Sequence, residues 1–250
     1  MIWPLLRTRR WIGFTAVVVL AIVAFGLLSA WQWSRAEERR AERSALEASV
    51  AERPVDWTQA AGLVRAGADW VSVSVEGQYR QDDQMVVRQR PLNARNGFWV
   101  LTPLATSSGE LWVNRGWIPA GPDALSTPAI PRPPAGIVTV SGFLRAAPTA
   151  DPERNRGLPA GQVSDPDPRL LQRPDALADG YLQLASSEPG QQDVVALGLP
   201  EIDDGRNVSY AVQWALFALI ALSGWYYFLR REARADAAES SPVTASLGSR

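Results

Sequence analysis

The chain contains no histidine, no cysteine and no lysine; all 25 of its basic residues are arginine. The first two absences remove the common ligands of zinc, copper and haem iron, and the usual catalytic bases and thiol nucleophiles. No disulfide supports the fold, so the redox compartment cannot be read from cysteine. An excess of charge is missing as well. The net charge of -1 points to neither nucleic acid nor an acidic ligand. A lysine-free, alanine- and arginine-rich composition reads as base-composition pressure on the genome rather than a functional demand for arginine. At 250 residues, one folded domain fits once any membrane segments are subtracted.

What is present begins with two long apolar runs. Residues 207–229 hold no charge and no proline over roughly the twenty residues a helix needs to cross a bilayer core. Trp225, Tyr226 and Tyr227, then Arg230, Arg231 and Arg234, read as an aromatic belt with a charged anchor. At the opposite end, Ser209, Tyr210, Gln213 and Trp214 put hydrogen-bonding groups into the first turns. An amide in hydrocarbon needs a partner, so this helix is expected to touch more than lipid.

The other run, residues 11–31, follows Arg7, Arg9 and Arg10 and starts like a twin-arginine export signal. Its apolar core is too long for a signal and no small-x-small site ends it, so an uncleaved anchor is expected. Two spans make a membrane hairpin in the cell membrane. Residues 1–10 and a disordered tail, 230–250, are expected in the cytoplasm, with 32–206 outside as the extracytoplasmic domain. The arginines flanking the tails favour that orientation.

Gly26 with Ala30, and Ala211 with Ala215, have small-xxx-small spacing and suggest helix packing. Antiparallel pairing would bring Trp31, Gln32 and Trp33 near Tyr210, Gln213 and Trp214. Two readings stand open. One is a pair of interfacial belts with glutamines bonded to each other. The other is a notch that holds a flat apolar ligand or a partner helix.

Residues 35–51 are rich in Glu, Arg and Ala and should continue the first helix beyond the bilayer. Residues 57–68 form a short helix candidate. The period then changes to two, with Val71, Val73 and Val75 alternating with Ser72, Ser74 and Glu76. Further strands are expected at 84–90, 97–104, 111–118, 137–145 and 181–184. The fold class is therefore a two-helix membrane hairpin carrying a mainly antiparallel β domain, small, barrel-like and α+β. Long Pro-rich loops, 119–134 and 148–174, are expected to be mobile or to bind.

The densest motif is Val113-Asn114-Arg115-Gly116-Trp117-Ile118-Pro119. As a regular strand it would put Leu111, Val113, Arg115 and Trp117 on one face and Trp112, Asn114 and Gly116 on the other. Arg115 on an apolar face needs a partner: a domain carboxylate, the rim, or an anionic group such as a propionate or a partner's acid. Asn114 and Trp117 flank it as contact candidates. Gly116 between bulky neighbours suggests a bulge or the close approach of another backbone.

This motif resembles the signature of the surfeit-locus family of cytochrome c oxidase assembly factors. The same resemblance covers Arg90-Pro91, the Gly97-Phe-Trp-Val-Leu-Thr-Pro-Leu104 run, Val140-Ser-Gly-Phe-Leu-Arg145, Tyr210-Ala-Val-Gln-Trp214, and Trp31-Gln32 with Arg35. It implies a membrane-anchored chaperone of respiratory-chain biogenesis, not an enzyme, acting in maturation of the haem a-bearing core subunit of the oxidase. The implied partners are that subunit, other oxidase assembly factors and the lipid bilayer, with no nucleic acid. Some family members are thought to bind haem a through a histidine just before the Tyr-Ala motif. Here the matching position is Asn207. Trp31, Gln32, Tyr210, Gln213 and Trp214 are the candidate cofactor-binding or helix-docking residues, and no metal site is expected.

Rival classes fare less well. An enzyme would need an acid pair, Asp82-Asp83, Asp165 with Asp167, or Asp203-Asp204, and all three sit in polar loop sequence. No G-x-S-x-G context appears. A membrane sensor would want a cytoplasmic output module that these short tails do not supply. A permanent accessory subunit of a respiratory complex, or a membrane-anchored binding domain with another client, stays as the alternative.

Overall fold

A computed structural model describes residues 3–121, 128–149, 151–171, 177 and 179–239. Two compact units make up the chain, Met1–Arg43 with Glu201–Arg250, and Ser44–Pro200.

The first unit is helical. A single turn, α1 (Trp3–Leu6), precedes α2 (Arg9–Ala51), which is 43 residues long. At 1.5 Å per residue α2 runs for about 65 Å, twice what a bilayer core requires. The charged stretch after residue 35 does continue the helix, as its composition predicts. The closing helix of the chain spans Gly205–Glu239. It reaches past residue 230, where the sequence suggests a disordered tail. Its extra turns, rich in Arg, Ala and Glu, have the propensity to carry it on. Residues 240–250 of that expected tail lie outside the described residues. Both long helices are apolar enough to cross a membrane, and none of the most apolar stretch of α2 is buried within the protein.

The second unit opens with α3 (Trp57–Arg65), capped by Asp56, whose carboxylate accepts the Thr58 N–H at 2.8 Å. Trp57, Ala60, Ala61 and Val64 recur at i, i+3, i+4 and i+7, so one stripe is buried. Among the described residues seven strands follow: β1 (Val71–Tyr79), β2 (Met85–Val87), β3 (Gly97–Thr106), β4 (Gly109–Pro119), β5 (Ile137–Ala146), β6 (Gln162–Val163) and β7 (Gly180–Glu188). The order β1-β5-β7-β4-β3 closes on itself through Gln78↔Ala105 and Tyr79↔Leu104, giving a small barrel. β2 and β6 extend from β3 as a flap.

The expected strands are all present, and the α+β class holds. Most pairings are antiparallel, but β4 pairs with β7 in parallel, as does β2 with β6. β6 lies inside the stretch read as loop 148–174, where two residues are too few to show a period. Within the barrel, Val73, Val140, Leu104, Leu111, Val113, Leu144 and Leu182 pack together under the buried stripe of α3. Each fully buried Val or Leu there contributes about 1.5–3 kcal/mol. A second cluster, Val87, Leu101, Trp112, Val163, Leu171 and Tyr181, lies on the sheet face opposite that interior.

The strand pair β3–β4 slips by one residue between Val100 and Leu101: Val100 faces Gly116, while Leu101 faces Asn114. Arg115 is the extra residue of a β-bulge. The bulge overturns the simple alternation. Trp117 pairs with Trp99 and falls on the side of Trp112 and Asn114, not with Leu111 and Val113. Gly116 satisfies both expectations for it. It sits at the bulge with φ 138°, and an added Cβ would run into the Val195 carbonyl.

Candidate functional site

The helical unit brings the predicted notch residues only partly together. Its two long helices run antiparallel, the second of them (Gly205–Glu239) being α4. Near the termini, Arg10 meets Glu232 at 3.4 Å and the Trp225 indole N–H donates to Thr15 at 3.0 Å. Midway, Phe25 stacks on Trp214 with ring centroids 5.7 Å apart, and the Ser29 hydroxyl donates to the Ala211 carbonyl at 2.9 Å. At the far end, Asp204 accepts from Arg40 at 2.7 Å and from Arg43 at 2.8 Å.

Above the aromatic level, Trp31, Gln32, Arg35, Glu38, Arg39 and Glu42 of α2 and Arg206, Asn207 and Tyr210 of α4 line an open groove of about 650 Å³. Thus Trp31, Gln32 and Tyr210 share one site, as antiparallel pairing predicts. Trp214 does not line it: its ring packs against Phe25 and Phe217. Gln213 is exposed, and among the described residues it has no hydrogen-bond partner, so the glutamine-to-glutamine bond is not formed. Asn207 and Gln213 each stand three residues from Tyr210 and so flank it by about 60° on opposite sides, and the groove takes in the Asn207 flank but not the Gln213 flank.

Apart from Arg35, sequence reasoning did not single out the groove's charges. Arg35 pairs with Glu38 at 2.8 Å and Arg39 with Glu42 at 3.3 Å, both exposed and worth little on their own. Arg206 has no ion-pair partner among the described residues. Arg35 also lies 6.0 Å over the Trp31 ring. Chemically the groove offers flat aromatic walls and guanidinium donors, a combination that takes an acidic or planar group.

The haem a that the resemblance implies can be tested against these side chains. Tyr210 alone among the lining residues is of a type that ligates haem iron, while Asn207 offers a weakly coordinating carboxamide. Met85 packs among apolar residues of the β domain. The donor set does not fit a histidine-ligated haem.

Asp204 anchors the clamp between the helices. Burial alone would raise its carboxyl, but hydrogen bonds from Arg40 and Arg43 outweigh it and hold the group below its ordinary value of 3.8. A depressed carboxylate contributes stability above its unfolded pKa and loses it as pH falls through the folded value. Asp204→Asn is therefore expected to lower hydrogen-exchange protection at the start of α4 at neutral pH. The parent chain should show the same loss only in acid, and unchanged protection in the variant would mean that the clamp is idle.

In the β domain, Arg115 is fully enclosed. It finds no carboxylate among the described residues. Its Nε donates to Gln191 at 3.1 Å, Nη1 to Gln84 at 2.7 Å and to the Pro131 carbonyl at 2.9 Å, and Nη2 to the Arg132 carbonyl at 3.3 Å. Burial lowers the guanidinium and pushes up the phenol of neighbouring Tyr79. Asn114 is also fully buried, its carbonyl oxygen accepting the Gly116 N–H at 3.2 Å. Trp117 is buried and donates its indole N–H to the Arg90 carbonyl at 2.6 Å. Any partner or anion reaching these three residues would have to open the domain first.

Of the acid pairs considered for an enzyme, the pair at 165 and 167 is committed to arginines. Asp165 holds Arg90 and Arg154, and Asp167 holds Arg169.

A family model described as the SURF1 family matches residues 19–219. Uncharacterized SURF1-like proteins of Mycobacterium bovis (strain ATCC BAA-935 / AF2122/97) and of Mycobacterium tuberculosis (strains CDC 1551 / Oshkosh and ATCC 25618 / H37Rv) are each 30% identical over 241 residues. The alignments cover 92% of this chain and 88% of each relative. The family match begins within α2, ends within α4 and takes in the whole barrel, and the motifs from Trp31 to Trp214 lie within the matched residues. The chain belongs to the SURF1 family, known generally as oxidase assembly factors.

Proposed function

We propose that this chain is an assembly factor for a haem-copper cytochrome c oxidase, acting at the outer membrane surface in maturation of the haem a-bearing core subunit. In this reading both long helices span the cell membrane, the arginine-flanked tails lie in the cytoplasm, and the barrel lies outside. The chain acts as a docking scaffold and catalyses no reaction. The observation that carries the reading is the groove at the polar end of the helix pair. Residues of the family motifs at Trp31-Gln32-Arg35 and Tyr210 build its walls, and Arg206 brings a guanidinium that has no ion-pair partner among the described residues. An acidic or planar group presented by the client subunit suits that lining. With Asn207 where the resemblance places a histidine, the groove serves protein contact rather than iron ligation.

The reading is tested by the reduced-minus-oxidised spectrum of membranes from a deletion strain. The a-type haem band is expected to be weakened and to return with the intact gene. An unchanged band with normal oxidase activity would remove the assembly role.

A further inference from the structure

A separate groove lies on another side of the helix pair, and of its lining Ser29 also joins the helices through the Ala211 carbonyl. Ile22, Gly26, Ser29 and Ala30 of α2 and Ala215, Ala218, Leu219 and Leu222 of α4 line its apolar length, with Trp33, Ser34 and Glu37 at its polar end. Its volume is about 690 Å³. From residue 22 to residue 37 it follows α2 for about 22 Å, some four helical turns. Small residues let a helix backbone come close in hydrocarbon. Gly26, expected to pack against α4, has nothing within 4 Å of where its Cβ would stand. Gly26 is therefore not used by the packing within the pair.

The polar end carries a charge to match. Glu37 accepts the Trp33 indole N–H at 3.0 Å and forms no ion pair among the described residues. Arg40 lies 5.7 Å over the Trp33 ring, yet its guanidinium is committed to Asp204. A helix seated here would present a cation at this level.

We infer that the groove receives one transmembrane helix of the oxidase core subunit, bearing Arg or Lys at the end that meets Glu37. The inference rests on the assembly-factor reading and names its contact within the bilayer. A second copy of this chain fits less well. A two-fold contact about the membrane normal would set the two Glu37 carboxylates at one level, like charge facing like charge, and a head-to-tail contact would leave an open chain of copies. A phospholipid would lay its phosphate beside the Glu37 carboxylate.

The experiment uses the full-length chain in native membranes during oxidase biogenesis. A photo-crosslinking residue at Ala30 or Ala218 should yield adducts with the core subunit, on a helix with a basic residue at one end. The same probe at exposed Val17 or Tyr227 should yield lipid adducts alone. Gly26→Leu should reach the membrane at the parent level, because its side chain enters open space, yet lower the cross-link yield and the a-type haem band roughly tenfold, the effect of about 1.4 kcal/mol of lost docking. Gly13→Leu, also in open space but outside the groove, is the matched control and should keep the parent level. Groove adducts with lipid only, or with a second copy only, would overturn the inference. So would full rescue of the deletion strain by Gly26→Leu, which would leave the assembly role standing. A deletion strain with normal oxidase would remove both.

Discussion

Arg115→Ala is expected to cost the β domain about 3 kcal/mol or more, a large share of an ordinary domain's stability. The cause is what the guanidinium leaves behind. Gln84, Gln191 and the carbonyls of Pro131 and Arg132 all accept from it. Hydrogen bonds to a charged group are worth about 1.5–3 kcal/mol each, though not additively, and stranded buried acceptors carry their own desolvation cost. The site also joins segments far apart in sequence. The turn before β2, the Pro-rich segment at 131–132 and the segment after β7 all meet at one side chain. Arg115→Lys should recover little, since an ammonium is a compact point donor and cannot span the fork. Urea unfolding of the full chain in detergent, followed by tryptophan fluorescence, measures the loss. Limited proteolysis of Arg115→Ala should cut first near 131–132. A midpoint within error of the parent would show that water replaces the guanidinium at no cost.

Gly116→Ala is expected to lose about 2–4 kcal/mol and to release the segment around Val195. Backbone and space act together here. A φ of 138° lies where side-chain-bearing residues are strained, and the new methyl would meet the Val195 carbonyl. That carbonyl accepts the Trp117 N–H at 2.8 Å, and the Val195 N–H returns the bond to the Trp117 carbonyl at 2.9 Å. Both bonds should open. Hydrogen exchange at the Trp117 and Val195 amides should rise well above that of neighbouring β4 amides such as Val113. Unchanged protection at both would mean that the bulge has shifted to accept the methyl.

The two replacements touch neighbouring residues for different reasons, and the difference shows what a linear reading can reach. Glycine between bulky residues in a strand motif already suggested a bulge or close approach, because few other reasons keep Gly there. A carboxylate partner for Arg115 was the ordinary expectation for a cation on an apolar face. The neutral oxygens that replace it come from residues 84, 131, 132 and 191, and no local pattern links those positions to residue 115. The notch followed the same division. Antiparallel pairing predicted that Trp31, Gln32 and Tyr210 would meet, whereas Gln213 turned outward and Trp214 joined Phe25 and Phe217.

The amino-acid sequence by itself determined the apolar helices, the main strands and the family. Those follow from run length, from the period-two valines of β1 and from motifs that occupy consecutive residues. Tertiary structure decided the barrel closure between β1 and β3, the parallel pairing of β4 with β7, the face taken by Trp117 and the outward placement of Gly26. Each of these depends on register or on rotation about a helix axis. A one-residue slip exchanges the faces of a strand, and a turn of a helix exchanges packed for open, with little change in local preference. Only the partners across the fold select between such states.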